Sequence, residues 1–292
     1  MADNPPRLVM IAGPNGSGKS TLIMALRADP RFELPAQYLN ADDLQRARRI
    51  DDPRQAQQLA NELRAQALAS RQDVMYETVM SHPGKIAELQ QAKSAGYHII
   101  VLLVATNDPN VNVERVAARV AAGGHDVPED RTRERYARTL ALAPVAIGYA
   151  NQAFVFDNTR AGETGGGLSQ QAGLLADRLV TTGMNTAPWV ARLVKQVNER
   201  AKELQAFAHG AQRSGVPPQL ARLHDSQTSG PIMVVGNQYV LQYDELTRTS
   251  ILHDRSLLGP IADRLAVRQF VDIRYDEGVA TEHAPQRGRA SE

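Results

Sequence analysis

Two hydrophobic patterns alternate through the first half of this 292-residue chain. Short apolar runs predict buried strands, and apolar residues at helical spacing between them predict amphipathic helices. Residues 98–105 are apolar on both faces, which is typical of a central parallel strand. The alternation predicts an α/β fold, a parallel sheet with flanking helices. The predicted strands are residues 7–12, 37–40, 73–77, 98–105 and 153–157, and the predicted helices are 19–28, 53–70, 83–95, 111–122 and 129–150.

The pattern changes after Asn158. Residues 162–168 are rich in glycine and predict a flexible joint. Residues 169–182 are then predicted to form a helix, and residues 189–213 a long amphipathic helix whose apolar stripe packs on the core. Four short β-segments follow at 232–235, 239–243, 250–253 and 270–275. The predicted organisation is a kinase-like domain at 1–160, a helical extension or linker at 161–228, a small β-rich module at 229–282 and a disordered polar tail at 283–292.

Residues 13–20 read Gly-Pro-Asn-Gly-Ser-Gly-Lys-Ser and fit the phosphate-binding pattern G-x-x-x-x-G-K-[ST]. The run lies between a predicted strand and a predicted helix, which disfavours the alternative of a glycine-rich turn with an incidental lysine. Lys19 is predicted to reach the β- and γ-phosphates, and the Ser20 hydroxyl to ligate Mg²⁺. The predicted nucleotide-binding residues are Gly13, Asn15, Gly16, Ser17, Gly18, Lys19, Ser20 and Thr21.

Two acidic positions follow predicted strands, and the carboxyl ends of parallel strands open onto the same crevice. Asp42 and Asp43 come just after the second strand, where a carboxylate accepts a proton from an acceptor hydroxyl or helps to hold Mg²⁺. The alternative is that one of them caps the next helix. Glu77 closes the third strand, either in the same crevice or as a satisfied charge at the strand end.

Arginines are concentrated between residues 115 and 135. Arg115 and Arg119 share a helix face, and Gly123-Gly124 follows as a hinge. A mobile arginine arm would neutralise charge on a transferring phosphoryl group. The alternative is a solvated arginine face with pairs such as Glu129 to Arg133. The later arginines are Arg131, Arg133 and Arg135.

The composition of the chain and the motifs it lacks argue against several classes of function. The chain has no cysteine, which excludes disulfides, thiol catalysis and cysteine metal sites. A net charge of +1 gives no sign of a nucleic-acid or membrane partner, and no apolar run approaches the ~18 residues of a membrane span. We therefore expect a cytoplasmic protein. No conventional Walker B segment is found, which favours phosphoryl transfer to a bound hydroxyl over ATP-driven mechanical work.

In the order of its motifs, the chain resembles the zeta toxin family of P-loop kinases. The resemblance spans roughly residues 5–160. One of the segments that carry it is an Arg-Val-x-x-Gly-Gly-His-x-Val-Pro signature that begins at Arg119. The other matching segments are 13–20, 40–43, 77–78, 85–105 and 157–158. The Gly-Gly-His form of the signature differs from that of the streptococcal toxins.

The resemblance implies a bacterial toxin, or a chromosomal or plasmid relative of one. Such an enzyme uses ATP or GTP with Mg²⁺ to phosphorylate the 3′-hydroxyl of UDP-N-acetylglucosamine or a related UDP-sugar. It implies Asp42 as the catalytic base, Glu77 and Thr78 at the UDP-sugar, and Arg119 on the phosphates. Arg135 is our choice for a second lid arginine among the three that follow the hinge. A small helical antitoxin is the partner that the resemblance implies.

The sequence is also compatible with two other functions. One is a kinase with a different hydroxyl acceptor, such as another nucleotide or an antibiotic. The other is a non-catalytic, plasmid-associated nucleotide-binding regulator. Residues 230–280 bear a faint similarity to KfrB-type modules of plasmid-encoded proteins, through Tyr239-Val-Leu-Gln-Tyr, His253-Asp-Arg and Val271-Asp-Ile-Arg-Tyr.

Overall fold

The computed structural model describes residues 4–30, 32–35, 37–124, 126–160, 167–212 and 217–283. Two compact units divide the chain, one formed by Met1–His82 and Gln91–Lys195 and the other by Pro83–Gln90 and Gln196–Glu292. In the described part of the chain no helix combines the length and apolar character that crossing a bilayer requires.

Helices and strands alternate in the first unit, and strands dominate the second. The helices are α1 Lys19–Ala28, α2 Ala41–Arg48, α3 Pro53–Ala69, α4 Gly84–Ser94, α5 Pro109–Ala121, α6 Glu129–Tyr149, α7 Pro188–Gln212 and α8 Arg255–Leu258, with a short 3₁₀ helix at Gly259–Arg264. The strands are β1 Arg7–Ala12, β2 Tyr38–Leu39, β3 Val74–Thr78, β4 His98–Ala105, β5 Gln152–Asp157, β6 Ser169–Leu175, β7 Arg178–Thr181, β8 Gln219–Leu220, β9 Ser226–Val235, β10 Tyr239–Asp244, β11 Thr249–Asp254, β12 Phe270–Asp276 and β13 Val279–His283.

The first unit is built on a sheet with strand order β2-β3-β1-β4-β5-β6-β7. Strands β1 to β5 are parallel to one another, which confirms the predicted α/β fold. Because β1 lies at the centre, flanked by β3 and β4, the loop that follows it emerges in the middle of the carboxyl edge. The core beside that loop joins Val9 and Ile11 of β1 to Leu22 and Leu26 of α1, all nearly inaccessible to solvent.

The prediction of a helix for residues 169–182 is wrong. This segment is the hairpin β6–β7, and β6 pairs antiparallel with the exposed edge of β5. Ala176 and Asp177 form its two-residue turn with φ values of 48° and 62°. Such turns usually carry Asn-Gly or Asp-Gly, so the sequence lacked the usual hairpin signal. Pairing with the open edge of β5 outweighed local helix propensity.

Helix α7 agrees with the predicted amphipathic helix, except that Arg213 lies outside the described residues. Its first half buries Trp189, Val190, Leu193 and Val197, as the apolar stripe predicted. In the second unit Arg200 forms a buried ion pair with Asp254. Glu203 accepts the backbone N–H groups of Gln238 and Tyr239, at 3.1 and 3.2 Å.

The second unit contains a sheet of order β13-β12-β9-β10-β11-β8, which confirms a β-rich C-terminal part. All four predicted β-segments lie within its strands, and β8 and β13 were not predicted. The KfrB resemblance and the domain boundaries stay predictions. Most of the predicted joint (161–166) and of the predicted tail (284–292), together with residue 125, lie outside the described residues.

A fully buried histidine organises the interior of this second sheet. His253 Nε2 lies 2.9 Å from Gln242 Oε1, and its Nδ1 lies 3.1 Å from the Tyr275 hydroxyl. Gln242 Nε2 donates to the carbonyl oxygens of Gly230 and Val271 at 3.0 and 2.8 Å. Burial lowers the pKa of His253 from 6.5 to about 3, against an opposing effect of Asp244. The ring is therefore neutral and fully hydrogen-bonded in the folded protein.

We expect acid to destabilise the second unit through His253. The unfolded chain takes up a proton near pH 6.5, whereas the folded ring does so only near pH 3. The free energy of unfolding should therefore fall as the pH drops from about 6.5 toward 3, by up to about 1.4 kcal/mol per pH unit. Urea unfolding followed through tyrosine ring NMR signals measures this slope.

His253→Gln should flatten the slope, while His224→Gln, at an exposed histidine in the same unit, should leave it unchanged. Titration of the His253 ring signals between pH 7 and 5 in the folded protein would contradict the prediction.

Candidate active site

The loop between β1 and α1 is held by its own backbone and by β3. Gly13 N donates to Thr78 O at 3.2 Å, and Ser17 N donates to Pro14 O at 3.2 Å. Lys19 Nζ folds back onto the loop and donates to Gly13 O at 2.9 Å and to Pro14 O at 3.2 Å. The lysine ammonium is thus at the loop mouth, where it can exchange these carbonyls for a stronger anionic acceptor.

Two loop positions require glycine. Gly16 and Gly18 have φ values of +74° and +100°, in the region that side chains disfavour. A Cβ on Gly16 would lie 2.5 Å from Asn112 O, and one on Gly18 would lie 2.0 Å from Asn158 Nδ2. The glycines therefore allow both the loop conformation and the close approach of two asparagines.

Asn40 connects the end of β2 with the end of β3. Its Oδ1 accepts from Asp42 N at 2.7 Å and from Asp43 N at 3.1 Å, so Asn40 is the N-cap of α2. The alternative that Asp42 or Asp43 caps this helix is wrong. Asn40 Nδ2 donates to Glu77 Oε1 and to the Tyr38 hydroxyl, the latter at 3.1 Å. Asn40 thereby fixes Glu77 beside the first turn of α2.

Opposite charges meet at this edge. Burial lowers the pKa of Lys19, Glu77 and Asp42 act to raise it, and Arg119 acts to lower it further. Burial raises the pKa of Glu77, with Lys19 opposing and Asp42 adding to the increase. Lys19 and Glu77 therefore lie within electrostatic reach of each other and of Asp42, and Arg119 lies within reach of Lys19. The structure brings together side chains from α1, α2, β3 and α5.

The remaining predicted residues occupy the same region. Ser20 and Thr21 are exposed on the first turn of α1. Thr78 is paired with Ala12 at the end of β1, and its hydroxyl accepts from Met80 N at 3.0 Å. Asn15 Oδ1, Ser17 Oγ and Glu77 Oε2 are among the six buried side-chain atoms without a hydrogen-bond partner in the described part of the chain. Unpaired buried polar atoms are costly, and a polar ligand would satisfy them.

The two arginines of α5 have different surroundings. Arg119 is exposed, and its charge acts on Lys19. Arg115 Nη2 donates to Thr159 O at 3.2 Å, beyond the end of β5. Burial lowers the pKa of Arg115, and Asp157 opposes that effect. Of the two, Arg119 is the one whose charge acts on the pKa of Lys19.

The three arginines of α6 also differ. Arg133 forms an ion pair with Glu129 at 2.6 Å, which is the pair that the alternative of a solvated arginine face predicted. Arg131 is exposed. Arg135 is half-buried and has no ion-pair partner among the described residues. It lies one turn before Thr139, whose hydroxyl donates to Val79 O at 2.6 Å just past the end of β3. Arg135 thus lies one helical turn from a residue that bonds the chain just past the end of β3.

Asp157, at the end of β5, has a structural role. Its Oδ1 accepts from Trp189 Nε1 at 2.6 Å and from the Thr159 hydroxyl at 2.7 Å. These contacts attach the start of α7 to the sheet and occupy the carboxylate.

Sequence reasoning missed two buried asparagines. Asn112 Nδ2 donates to Asn15 O at 2.6 Å, and Asn158 Nδ2 donates to Ser17 O at 2.8 Å. Asn158 entered the prediction only as part of the family resemblance. Both asparagines are far from the loop along the chain, so no local sequence pattern linked them to it. Asn40 could have been recognised as a helix cap, because an asparagine before Ala-Asp-Asp is a common helix start.

The donor set suits Mg²⁺ bound with a polyphosphate. The described residues contain no cluster of three or more acidic or histidine side chains that would hold a metal alone. They do offer the Ser20 hydroxyl on the loop and the Asp42 carboxylate near Lys19. Mg²⁺ prefers a few hard oxygen ligands of this kind, completed by phosphate oxygens and water.

Comparison with protein families matches residues 1–143 to the family described as Zeta toxin. An uncharacterized protein of Haemophilus influenzae is 30% identical over 136 residues, covering 44% of this chain and 92% of that protein. The family match covers all the candidate site residues from Gly13 to Arg135.

Solved structures with a similar fold have low sequence identity. A chain in the structure of the AvrRxo1-ORF1:AvrRxo1-ORF2 complex with sulphate ions is 12% identical, with a TM-score of 0.49 and coverage of 66% of this chain. Our chain spans 64% of the length of that one. A chain of the PezAT chromosomal toxin-antitoxin system of Streptococcus pneumoniae is 14% identical, with a TM-score of 0.43 and coverage of 68% of this chain and 80% of that one.

Proposed function

The chain belongs to the zeta toxin family of P-loop kinases through residues 1–143, and we propose from this that it phosphorylates a UDP-sugar with ATP or GTP. The proposed acceptor is the 3′-hydroxyl of UDP-N-acetylglucosamine. The observation that carries the proposal is the meeting of Lys19, Asp42, Glu77 and Arg119 at the carboxyl edge of one parallel sheet. A cation at a glycine loop beside two carboxylates is the minimal arrangement for transferring a phosphoryl group to an alcohol.

The glycine loop would hold the triphosphate through its N–H groups and Lys19. Ser17 Oγ and Asn15 Oδ1, both buried and unpaired within the described residues, support a polar occupant here. Ser20, with Asp42 nearby, would hold Mg²⁺. The ion when bound supplies charge neutralisation on the β- and γ-phosphates.

Asp42 is proposed as the general base. It would accept the proton of the sugar hydroxyl as the new oxygen–phosphorus bond forms and the bond from the γ-phosphorus to the β-phosphate oxygen breaks. Its exposed position on the first turn of α2, close to Lys19, supports this role. Glu77 and Thr78 are proposed to position the UDP-sugar, and the unpaired Glu77 Oε2 supplies an acceptor for a sugar hydroxyl.

Arg119 and Arg135 are proposed to neutralise the charge that develops on the transferring group. The effect of Arg119 on Lys19 supports its proximity to the phosphates. For Arg135, the half-buried position one turn before Thr139 is the supporting observation. Arg131 and Arg133 are not assigned a role.

Three wider proposals follow from family membership. Residues 1–160 would form the catalytic domain, residues 161–228 the extension and 229–282 a separate module. A small helical antitoxin would restrain the enzyme, as in the family. The proposed substrates are cytoplasmic metabolites, so the proposed site of action is the cytoplasm.

We predict that the purified protein transfers labelled phosphate from ATP to UDP-N-acetylglucosamine in the presence of Mg²⁺. A 3′-deoxy analogue of the sugar nucleotide should accept none, because the attacking oxygen is missing. Thin-layer chromatography and mass spectrometry of the product measure the transfer and its position.

The other outcomes separate the alternatives. Transfer to a different compound in a metabolite extract, with none to UDP-N-acetylglucosamine, would assign another acceptor. Nucleotide binding without transfer to any compound would favour a regulator and would reject the kinase proposal.

A further inference from the structure

Two buried asparagine amides bind opposite ends of the turn at the centre of the glycine loop. Asn112 is fully buried on the first turns of α5, and Asn158, 3% exposed, directly follows β5. Asn112 Nδ2 donates to Asn15 O at 2.6 Å, and Asn158 Nδ2 donates to Ser17 O at 2.8 Å. We name this pair the asparagine brace.

The brace fixes the direction of two peptide groups. In a planar trans peptide the C=O of one residue and the N–H of the next point in opposite directions, and the described chain has no cis peptide bond. Because the Asn15 and Ser17 carbonyls face the asparagines, the Gly16 and Gly18 N–H groups face the other way. Neither N–H has a backbone acceptor among the described residues.

Hydrogen bonds at the other end of its amide fix the Asn112 side chain. Its Oδ1 accepts from the Thr106 hydroxyl, and Thr106 O accepts from the Tyr136 hydroxyl of α6 at 2.7 Å. The side chain has few other orientations, because both ends of its amide are bonded in a buried site. A Cβ added to Gly16 would meet Asn112 O, and one added to Gly18 would meet Asn158 Nδ2, so the two asparagines lie directly against the loop glycines.

We propose that Asn112 and Asn158 are positioning residues that pre-organise the Gly16 and Gly18 N–H groups to bind the phosphates of the nucleotide. This rests on the proposed function, in which the loop binds a triphosphate. Donors fixed before the ligand arrives bind an anion without a reorganisation cost. Loss of one brace bond should therefore weaken triphosphate binding by about tenfold.

The test compares isosteric aspartate variants with charge-matched controls. Asn112→Asp keeps the volume and the acceptor for Thr106 but loses the donor to Asn15 O. Asn110→Asp adds the same charge at an exposed position of the same helix. Asn158→Asp is compared in the same way with Asn107→Asp, which is also exposed. Where an aspartate variant does not fold, the alanine variant at that position takes its place.

Two readouts are measured on folded protein. The dissociation constant of a fluorescent, non-hydrolysable ATP analogue should rise about tenfold for each brace variant relative to its control. In nucleotide-free protein labelled with ¹⁵N-glycine, the Gly16 and Gly18 amide signals should move in the brace variants and stay in place in the controls. A purely structural role would lower the melting temperature without changing either readout in the folded protein.

Affinities within twofold of the controls, with unmoved glycine signals, would overturn the inference. If the wild type binds no nucleotide, the proposed function fails separately. In that case the inference is tested by the Gly16 and Gly18 amide signals alone. It is rejected if these signals have the same chemical shifts in the brace variants as in the controls.

Discussion

Replacing Asp42 with asparagine is expected to lower kcat by about 10²–10⁴-fold while changing the dissociation constant of ATP by less than about threefold. Asparagine keeps the shape of the side chain and cannot accept the proton of the attacking hydroxyl. The ATP contacts come from the glycine loop and Lys19, which the substitution leaves in place. Single-turnover transfer and equilibrium nucleotide binding measure the two quantities separately.

Asp43→Asn is the matched control, because Asp43 is the next residue on the same turn of α2 and is equally exposed. Its carboxylate pairs with Arg46, and its charge also acts on Glu77. We expect its kcat to stay within about threefold of the wild type. A large loss in Asp43→Asn with none in Asp42→Asn would move the base to Asp43. Wild-type turnover in both would remove the base from this helix.

Lys19→Ala should abolish measurable phosphate transfer, a loss of about 10³-fold or more in kcat/KM. The ammonium is already partly desolvated and bonded to two loop carbonyls, so it can turn to the phosphates with little further loss of hydration. Without it, only the proposed Arg119, Arg135 and Mg²⁺ would remain to neutralise the charge that develops in the transition state. Transfer of labelled phosphate from ATP is the measurement.

Lys93→Ala serves as the control, because Lys93 is exposed and its Nζ donates to Asn151 Oδ1 at 3.4 Å, away from the glycine loop. It should retain wild-type transfer. Lys19→Ala should also keep the wild-type melting temperature to within a few degrees, since its bonds are made within the loop. Transfer by Lys19→Ala above about a tenth of the wild-type rate would contradict the role given to the lysine.

The sequence was most informative where the determinants are adjacent. The strand, glycine loop and helix of residues 7–28 are contiguous, so their pattern predicted the element bounds and the loop together. The parallel order of the sheet also followed from alternating patterns that repeat along the chain. Asp42 and Glu77 could be placed at one edge because Glu77 closes one strand and Asp42 comes just after another strand of the same parallel sheet.

Predictions failed where a neighbour in space decides the structure. The segment 169–182 has mixed propensity, and the unpaired edge of β5 made it a hairpin. Asp42 and Asp43 both suit a helix cap, but Asn40 reaches that position and bonds Glu77 at the same time. The choice of Arg135 among Arg131, Arg133 and Arg135 stays a prediction, because their spacing alone does not show which face of α6 meets the site.

The sequence by itself determined a phosphate-type loop in an α/β domain, because that chemistry depends on eight consecutive residues and on the elements that flank them. Only the tertiary structure decided how the loop is held. The bonds from Asn112 to Asn15 and from Asn158 to Ser17 join residues 97 and 141 positions apart. Contacts at such separation arise from strand order and helix packing, and no local pattern encodes them.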